Sequence, residues 1–483
     1  MRRQSITDGY MTVLLSLTVS LILSLILALF SGARISAAKM RAECVTETGI
    51  ESVLAEYNRE LFERYDLLMT DMSYGGAAAD VCNTEEHLRK YVQMNLDAST
   101  GAVLTDTANF RGLYCNGIRI PEITRGGDGN GAVLRRQIFA YMQAEPLENA
   151  FAEAGKNVEI LQANGYDTYD TEAEMDANYA ELERVLQGAQ ENPDAEGAGG
   201  GSDVIDKVRE VHETRRFGIL TLAHPDASAI SRAAVTPSVY ASHRGLISGN
   251  GYRGSAQTGA SQLLLFDQYL FEKCGSHAAV REGSRLQYQL EYILAGKGND
   301  YANLEAVAAK LLFWREASNF LYIMTDTEKC NFAEGIASLV SAVLMLPELK
   351  DPLKMAILFA WSFSESVSDI RILLDNGRVP LVKSRDTWKT SFANLLGFGR
   401  GAKGDTGLDY EDYLRMLVLM TDLQTKTMRL MDIMEMDLRE TPGNPHFTID
   451  GCIDCLTAEV SFDSNVGFSG TFIRRRGYTE WFQ

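Results

Sequence analysis

Two acidic residues four positions apart, Glu365 and Asp369, are the strongest candidates for chemistry in this sequence. They share one face of a predicted helix and have apolar neighbours. Two carboxylates in an apolar cleft can act as general acid and base, because burial raises a carboxyl pKa. The alternative is an ion-pair network in which basic residues such as Arg315 and Arg371 orient the central helices. We expect the network, and therefore no catalytic residue at this position.

Other motifs for catalysis, cofactors or metals are weak. Residues 399–404 fit the dinucleotide-binding pattern G-x-G-x-x-G, but a helix over 388–396 is predicted before them, where the motif needs a strand. The sequence has no G-x-x-x-x-G-K-[ST] loop and no H-E-x-x-H motif, and its six histidines lack metal-ligand spacing. We therefore expect no enzyme, no cofactor and no metal site.

Seven cysteines are scattered along the chain, and only Cys452 and Cys455 have a suggestive spacing. A zinc site would need two further ligands, and a redox Cys-x-x-Cys normally begins a helix. This pair lies between strand-like segments instead. Packing thiols, a local disulfide between Cys452 and Cys455, and redox or metal chemistry are the three interpretations, in that order of preference.

The first predicted element of the chain is a helix formed by a long apolar run. Its ends are Met11 and Phe30, and it contains no charged residue. At about 1.5 Å per residue, a helix of this length crosses the ~30 Å hydrocarbon core of a bilayer once. A cleaved signal peptide is the alternative, because Ala37 and Ala38 follow downstream. We expect the run to be kept as a transmembrane helix.

The orientation of this span is not settled by its flanking charges. Arg2 and Arg3 precede it, and Arg34, Lys39 and Arg41 follow it. We expect the leading residues to stay inside and the bulk of the chain to lie outside the cytoplasm, with a cytosolic bulk as the alternative. A net charge of −19 argues against sequence-independent nucleic-acid binding and against broad contact with anionic lipid.

Apolar residues continue at helical spacing beyond the span, with Glu and Arg between them. This pattern predicts one amphipathic stem helix over residues 31–71. The apolar stripe of such a stem needs a partner, either the head of the same chain or a neighbouring subunit. The candidate assembly stripe consists of Val53, Leu54, Tyr57 and Leu61.

The remaining chain is predicted to be an α+β protein in which strands lie near both ends of the soluble region and can share one sheet. Two apolar runs within residues 332–374 are too short to span a bilayer, so we expect buried core helices there. One long helix is predicted over 409–440, and strands near 109–123, 447–449, 458–462 and 471–473. The predicted regions are 1–10, a short leading segment; 11–30, the span; 31–71, the stem; 72–190, an α+β head region; 191–202, a flexible linker; 203–440, a helical core; and 441–483, the C-terminal strands.

The N-terminus resembles that of pilin-like proteins of tight-adherence (Tad) pilus systems. Gly9 precedes the apolar span, and Arg34 and Arg41 follow it. Type IV pilins carry Glu at the fifth position after the cleaved glycine, where this chain has Leu14. The resemblance therefore implies a pilin-like anchor and leaves prepilin processing unsupported.

Further blocks resemble an uncharacterised family of membrane proteins from Gram-positive anaerobes. They are residues 9–30, GYMTVLLSLTVSLILSLILALF, and residues 51–71, ESVLAEYNRELFERYDLLMTD, together with residues 286–326, 359–383 and 410–420. Members of that family tend to be encoded near Tad-type secretion or pilus genes. The resemblance implies a role in a surface apparatus and carries over no catalytic residue.

These observations together predict a non-enzymatic, membrane-anchored structural or assembly component of a cell-envelope apparatus, such as a Tad-like pilus or secretion system. Its expected partners are the lipid bilayer and other subunits of the apparatus, and not nucleic acid. The alternatives are an envelope-anchored hydrolase and an extracellular sensor or ligand-binding module. A deep cleft with several carboxylates would favour the hydrolase, and a large apolar pocket in the helical centre would favour the sensor.

Overall fold

The computed structural model describes residues 7–96, 112–190, 202–224, 226, 228–254 and 259–478. The predicted linker, apart from Ser202, and most of the predicted leading segment lie outside these residues. The chain forms two compact units. The sheet unit comprises residues 1–141, 245–257 and 438–483, and the helical unit comprises 142–244 and 258–437. The predicted head region is thus divided between the two units near residue 141.

The sheet unit begins with one 48-residue helix, α1 (Thr7–Leu54). Its side chains from Tyr10 to Phe30 are exposed, and the helix is long and apolar enough to cross a membrane. From Ala38 onward one face of the same helix is buried. A single unbroken helix therefore carries both the candidate membrane span and part of the core of the sheet unit.

The predicted stem differs from the structure in its length. α1 ends at Leu54, a turn follows, and α2 (Arg59–Tyr65) begins where the Asn58 side chain accepts a hydrogen bond from the Leu61 backbone N–H at 3.0 Å. Strand β1 (Thr70–Asp71) comes next.

The candidate assembly stripe lies inside the sheet unit. Val53, Leu54 and Leu61 are buried there, and Tyr57 packs against the same core. Of the two partners considered for the stripe, the chain's own head therefore covers these residues. They are not available to a neighbouring subunit, because their apolar surface is already removed from water.

The sheet is antiparallel and is organised around β3 (Cys452–Ser464). One edge of β3 pairs with β2 (Leu113–Arg125), and the other pairs with β4 (Ser469–Gly477) and β1. Strands from both ends of the soluble region thus share one sheet, and the α+β prediction is confirmed.

Two details of the strand predictions change. β2 continues through Pro121, where a break was predicted, because a register shift between Arg119 and Glu122 accommodates the proline on an edge strand. The predicted strand at 447–449 is wrong, because Ile449–Gly451 forms a 3₁₀ turn. The predicted strand positions 109–111 lie outside the described residues.

Cys452 and Cys455 are buried free thiols, so the local disulfide considered for them is not present. Both lie on β3, and residues three apart on a strand point to opposite faces of the sheet. Their Cα atoms are separated by roughly 10 Å at about 3.3 Å per residue, which is beyond the ~7 Å reach of a disulfide. The strand geometry favours the interpretation as packing thiols.

Helices cover the sheet of this unit. α3 (Val81–Leu96) packs against the buried half of α1 and against β2, and α4 (Asp128–Met142) follows β2. Gln137 of α4 donates a hydrogen bond to the buried Asp454 carboxylate of β3 at 2.6 Å, and Arg136 donates to its other oxygen at 2.6 Å. The centre of the sheet is therefore covered by apolar helix faces and fixed by charge-assisted hydrogen bonds.

The helical unit is built around α13 (Lys350–Leu374), whose residues from Leu358 to Ile370 are all buried. The helices that pack against it are α6 (Thr171–Gln190), α7 (Ser202–Thr214), α8 (Ile219–Ala223), α11 (Asp300–Thr325) and α12 (Thr327–Val343). This confirms the prediction of a buried core helix for the second apolar run, whereas α12, which carries the first, buries only one face. The other described helices of the unit are α5 (Asn149–Ala163), α9 (Ala260–Lys273), α10 (Gln289–Ala295), α14 (Tyr410–Leu419) and α15 (Leu423–Arg439).

Two helix predictions in this unit are wrong. The segment 409–440 is divided into α14 and α15, because Asp422 caps a new helix by accepting a hydrogen bond from the Thr425 N–H at 2.8 Å. The segment 388–396 forms a 3₁₀ turn over Phe392–Gly397 instead of an α-helix. Residues 399–404 follow this turn as a loop, so the G-x-G-x-x-G pattern lacks the strand that a dinucleotide site needs.

Candidate functional site

Several fully buried polar residues of the helical unit lie on α13. Its sequence WSFSESVSDI alternates serines with apolar residues, and Glu365 and Asp369 in this stretch are fully buried. The hydroxyls of two serines donate to backbone carbonyls: Ser366 donates to the Ser362 carbonyl at 2.8 Å, and Ser364 to the Leu395 carbonyl at 2.6 Å. The helix can thus bury polar residues without leaving these hydroxyls unpaired.

Two basic residues from other elements hold the two carboxylates. Lys383, in the loop after α13, donates to Asp369 Oδ1 at 2.6 Å and to Glu365 Oε1 at 2.5 Å. Arg315 of α11 donates to Asp369 Oδ2 at 3.0 Å, and Asn319, one turn further on, donates to the same oxygen at 3.0 Å. Two positive and two negative groups therefore balance one another in the core, and we call these residues the buried network.

The pKa of Asp369 does not suit a general acid. Burial raises the pKa of Asp369, but Lys383 and Arg315 more than offset it, so the pKa lies below its usual value. Burial lowers the pKa of Arg315, and Tyr413 and Asp369 reverse this effect, so the guanidinium pKa is raised. A general acid near neutral pH needs a raised carboxyl pKa. Asp369 has the opposite shift, and the arrangement supports the ion-pair interpretation.

An open cleft of about 420 Å³ lies beside the buried network. Asp369 and Lys383 contribute to its lining, together with the exposed side chains of Arg378, Asp386 and Lys389. Positive and negative groups are mixed along this cleft, and its buried charges already bind each other. The cleft therefore favours neither a cationic nor an anionic ligand.

A second cavity, of about 240 Å³, lies over one face of α11, and we call it the α11 cavity. Glu305, Ala309, Leu312 and Glu316 follow one another along this face at helical spacing. Phe313 of α11 and residues from three other places complete the lining. These are α6 with Glu172, the segment from Arg215 through α8 with Phe217, Ile219 and Leu222, and α13 with Phe363. The cavity thus combines an apolar wall with charged groups.

Three carboxylates line the α11 cavity and one cation faces them. Glu316 is 4% exposed, and its Oε2 accepts a hydrogen bond from Arg215 at 3.3 Å. The Arg215 guanidinium also lies over the Phe363 ring, 5.3 Å from its centroid. Glu305 accepts a hydrogen bond from the Leu220 N–H at 3.2 Å. Glu172 adds a third acid at the rim, where it is two-thirds exposed.

Only one of the two carboxylate oxygens of Glu316 has a hydrogen-bond partner among the described residues. Its Oε1 atom is buried and has no hydrogen-bond partner among the residues that the structure describes. Burial raises the pKa of Glu316, Arg215 lowers it and Glu172 raises it, so that the carboxyl pKa is about 7. The carboxyl group is therefore poised to change charge near neutral pH. Over the described ranges, no group of three or more His, Cys, Asp or Glu is arranged to hold a metal ion.

The region that contains these sites matches a known family. Residues 197–464 match DUF5702, which is described as a family of unknown function, and this is more than half of the chain. The chain belongs to this family. No curated protein and no solved structure matches the chain.

The DUF5702 match includes the buried network and most of the α11 cavity. It extends from just before α7 to the end of β3, and it leaves out α1 and Glu172. The predicted resemblance to an uncharacterised family is confirmed over 286–326, 359–383 and 410–420. The resembling blocks at 9–30 and 51–71 lie outside the matched region.

Sequence reasoning found part of these sites. Glu365, Asp369 and Arg315 were singled out, and the structure brings them together in the DUF5702 region. Lys383 was missed, because it lies in a loop where no periodicity indicates which way a residue faces. The α11 cavity was missed as well, although a signal existed: Glu305 and Glu316 are three helical turns apart, with apolar residues between them on one face.

Proposed function

We propose that the chain is a non-enzymatic structural or assembly component of a cell-envelope apparatus of the Tad-like pilus or secretion type. In this proposal α1 anchors the chain in the membrane as a single span, and the bulk of the chain lies outside the cytoplasm. The observation that carries the proposal is an exposed apolar face on α12, which a partner subunit would cover.

The α12 face consists of Phe332, Leu339 and Val343, which are 47%, 67% and 43% exposed, and of Met345 just beyond the helix, which is 84% exposed. The opposite side of α12 is buried and includes Ala333, Ala337 and Val340. Glu334 fixes the helix to α13, because it accepts hydrogen bonds from Lys350 at 3.0 Å and Lys354 at 2.9 Å. The face is therefore held in place while its apolar side chains meet water.

The free energy gained by burying such an apolar face favours association with a partner. Burying one Leu, Val, Phe or Met side chain is worth roughly 1.5–3 kcal/mol, so covering several of them together offsets part of the cost of binding. Gly335 and Ala342 are exposed on the same side of the helix, and small residues let a second helix approach closely. A helix of another subunit of the apparatus is the partner that fits this surface.

The membrane part of the proposal is supported by α1 and by the resemblance of the N-terminus to Tad pilin-like proteins. α1 continues from the exposed apolar segment into the core of the sheet unit without a break. The sheet unit is thereby held at a fixed distance from the bilayer surface. Such an anchor suits a component that holds other subunits at the membrane better than one that diffuses to a soluble substrate.

Photo-crosslinking in living cells tests the α12 face. A photoreactive amino acid replaces Leu339 in one variant and Lys310, an exposed residue of α11, in the matched control. We expect Leu339 to crosslink to a subunit of the envelope apparatus and Lys310 not to do so. Equal yields at both positions would contradict the proposed contact, as would crosslinks only to lipid or to cytoplasmic proteins.

Native cysteines test the orientation. Cys44 and Cys82 are exposed and follow the candidate span. An impermeant maleimide should label the chain in intact cells, and a variant with both Cys44→Ser and Cys82→Ser should lose this labelling. If labelling appears only after lysis, the bulk of the chain is cytosolic and this part of the proposal is wrong.

A further inference from the structure

Lys383 is held between two carboxylates in the buried network. Its Nζ atom donates to Asp369 Oδ1 at 2.6 Å and to Glu365 Oε1 at 2.5 Å, and none of the three side chains is more than 1% exposed. A nitrogen that is hydrogen-bonded to a carboxylate oxygen lies roughly 3–3.5 Å from the carboxyl carbon, which is the separation of a near-attack geometry. The contact therefore places an amine next to a carbon with which it can form an amide.

The two oxygens of Asp369 have different surroundings. Oδ2 accepts hydrogen bonds from Arg315 Nε and from Asn319 Nδ2, both at 3.0 Å, and Arg315 Nη2 lies 2.9 Å away. Oδ1 contacts Lys383 instead. A carboxylate normally resists a nucleophile because it is negatively charged, and Arg315 offsets that charge. The same N–H groups stabilise the negative charge that develops on Oδ2 during attack, as the donors of an oxyanion hole do.

Glu365 is placed to carry protons. Its Oε1 atom contacts the Lys383 ammonium group. Backbone N–H groups fix the carboxylate in this position, because Lys389 donates to both oxygens at 3.0 Å and Thr390 donates to Oε2 at 2.8 Å. A carboxylate in contact with an amine can accept its proton and pass it to a departing oxygen, so it acts first as a general base and then as a general acid.

We propose that Lys383 and Asp369 form an amide cross-link within the buried network, with Glu365 as the proton carrier. The Lys383 nitrogen attacks Cγ of Asp369, the bond from Cγ to Oδ1 breaks, and Oδ2 becomes the amide oxygen. Two of the three ammonium protons pass through Glu365 to Oδ1, which leaves as water, and the third stays on the nitrogen. The reaction needs no oxidant, reductant or other reactant. The open cleft of about 420 Å³, which Asp369 and Lys383 help to line, gives the water a way out.

The cross-link preserves the charge balance of the buried network. One positive and one negative group are lost together, and Arg315 and Glu365 remain as groups of opposite charge. The product closes the chain between Asp369, near the end of α13, and Lys383 into a covalent loop. Because such a link restricts the unfolded chain, as a disulfide does, it stabilises the folded state. This modification occurs once within each chain, goes beyond the proposed assembly role and does not depend on the α12 face being an interface.

A second buried lysine provides an internal comparison. Lys426 Nζ donates to Asp267 Oδ1 at 2.5 Å, and both side chains are at most 3% exposed. In the described part of the chain, Lys426 is the cation that acts on Asp267, and no second carboxylate contacts Lys426. Proximity alone would link both pairs, whereas the proposed chemistry links only Lys383. An equal yield of a link between Lys426 and Asp267 would therefore overturn the proposal.

Peptide mass mapping of the full chain, purified in mild detergent after prolonged incubation at growth temperature, tests the proposal. Trypsin should release residues 355–371 joined to residues 379–385, at one water mass below their sum, because an amidated Lys383 is no longer cleaved. Fragmentation of this product should place the link on Asp369. The proposal is wrong if the two peptides remain unlinked, and the assigned roles are wrong if the link is on Glu365.

Two variants separate the chemistry from the fold. Glu365→Gln keeps Lys383 and Asp369 but removes the proton carrier, so the link should form at least about a hundredfold more slowly. Asp386→Asn, at an exposed residue of the same cleft, should form the link as the wild type does. Tryptophan fluorescence shows whether each variant is folded before digestion. Wild-type yield of the link in a folded Glu365→Gln chain would contradict the proposal, and if that variant does not fold, the mapping of the wild-type chain decides.

Discussion

Replacing Asp369 by asparagine should destabilise the helical unit strongly. The carboxylate accepts hydrogen bonds from Lys383, Arg315 and Asn319, and it is fully buried. Asparagine has nearly the same shape but no charge. Lys383 and Arg315 then remain in the core with Glu365 as their only acidic partner in the buried network, so the network carries a net positive charge.

The size of this effect follows from the burial of the network. Removing one partner of a buried ion pair costs about 3–5 kcal/mol, because the charge that remains is neither hydrated nor paired. A typical exposed substitution changes stability by no more than about 0.5 kcal/mol. Asp386→Asn is such a control, because Asp386 is exposed in the same loop as Lys383. The two variants should therefore differ by at least about 2.5 kcal/mol.

Urea denaturation of the full chain in mild detergent, followed by tryptophan fluorescence, measures this difference. Three of the four tryptophans, Trp314, Trp361 and Trp388, lie in the helical unit, so most of the signal reports on that unit. Adding Lys383→Met to Asp369→Asn restores the charge balance of the buried network. The double variant should be more stable than the sum of the two single effects predicts, by about 1–3 kcal/mol.

Two results would refute this reasoning. If Asp369→Asn lowers the free energy of unfolding no more than Asp386→Asn does, the ion pairs contribute little to stability. If it leaves stability and assembly intact but abolishes an envelope activity, the acidic pair is catalytic, and the hydrolase interpretation replaces the structural one.

Three further predictions concern other parts of the molecule. Val53→Glu should lower the melting temperature of the sheet unit in calorimetry, because it places an unpaired charge in an apolar core. The exposed control Ala55→Glu should leave the melting temperature unchanged. Equal melting temperatures in the two variants would show that the stripe is not buried. A chain that begins at Ala37 should remain in the supernatant after ultracentrifugation without detergent, since it lacks the exposed apolar part of α1; complete partition into membranes would point to a second membrane contact. Burial raises the pKa of Glu291 to about 7 from an ordinary 4.5, so the folded state holds this proton more tightly than the unfolded state does. The free energy of unfolding should therefore keep the whole contribution of this proton below pH 4.5 and fall by about 3 kcal/mol as the pH rises to 7. Urea denaturation at pH 5 and pH 8 should show this loss reduced in Glu291→Gln and unchanged in the exposed control Glu282→Gln; identical pH profiles in all three proteins would contradict it.

Elements with strong, uninterrupted periodicity could be predicted from the sequence. The apolar run before Phe30 and the buried helix α13 are both long enough for their pattern to exclude other structures. The division of 409–440 into α14 and α15 could not be predicted in this way, because its cause is a local cap at Asp422 within a continuous apolar pattern. Periodicity indicates which face is apolar, and a single side-chain cap decides where a helix begins.

Prediction of the candidate sites from the sequence has the same limit. Glu365 and Asp369 could be paired from their spacing on one helix, but their partners Arg315 and Lys383 are far apart in the sequence. A spacing rule applies within one element, and the contact between Lys383 and Asp369 depends on the path of a loop. The stem stripe was found correctly as an apolar face, and the sequence left open which partner would cover it, because the strands that do so come from the other end of the chain.

The central strand of the sheet unit has a consequence for how the protein is made. β3 pairs with every other strand of the sheet. Its residues 452–464 are nevertheless synthesised after β1 and β2, and only β4 follows them. During synthesis, α1 and α3 are made long before the strand that completes their core. Until then their apolar faces, at residues such as Ile50 and Val92, are open to chaperones and proteases. A product truncated before Cys452 would keep this surface uncovered, so cellular quality control could distinguish it from a chain that has been translated through the sheet.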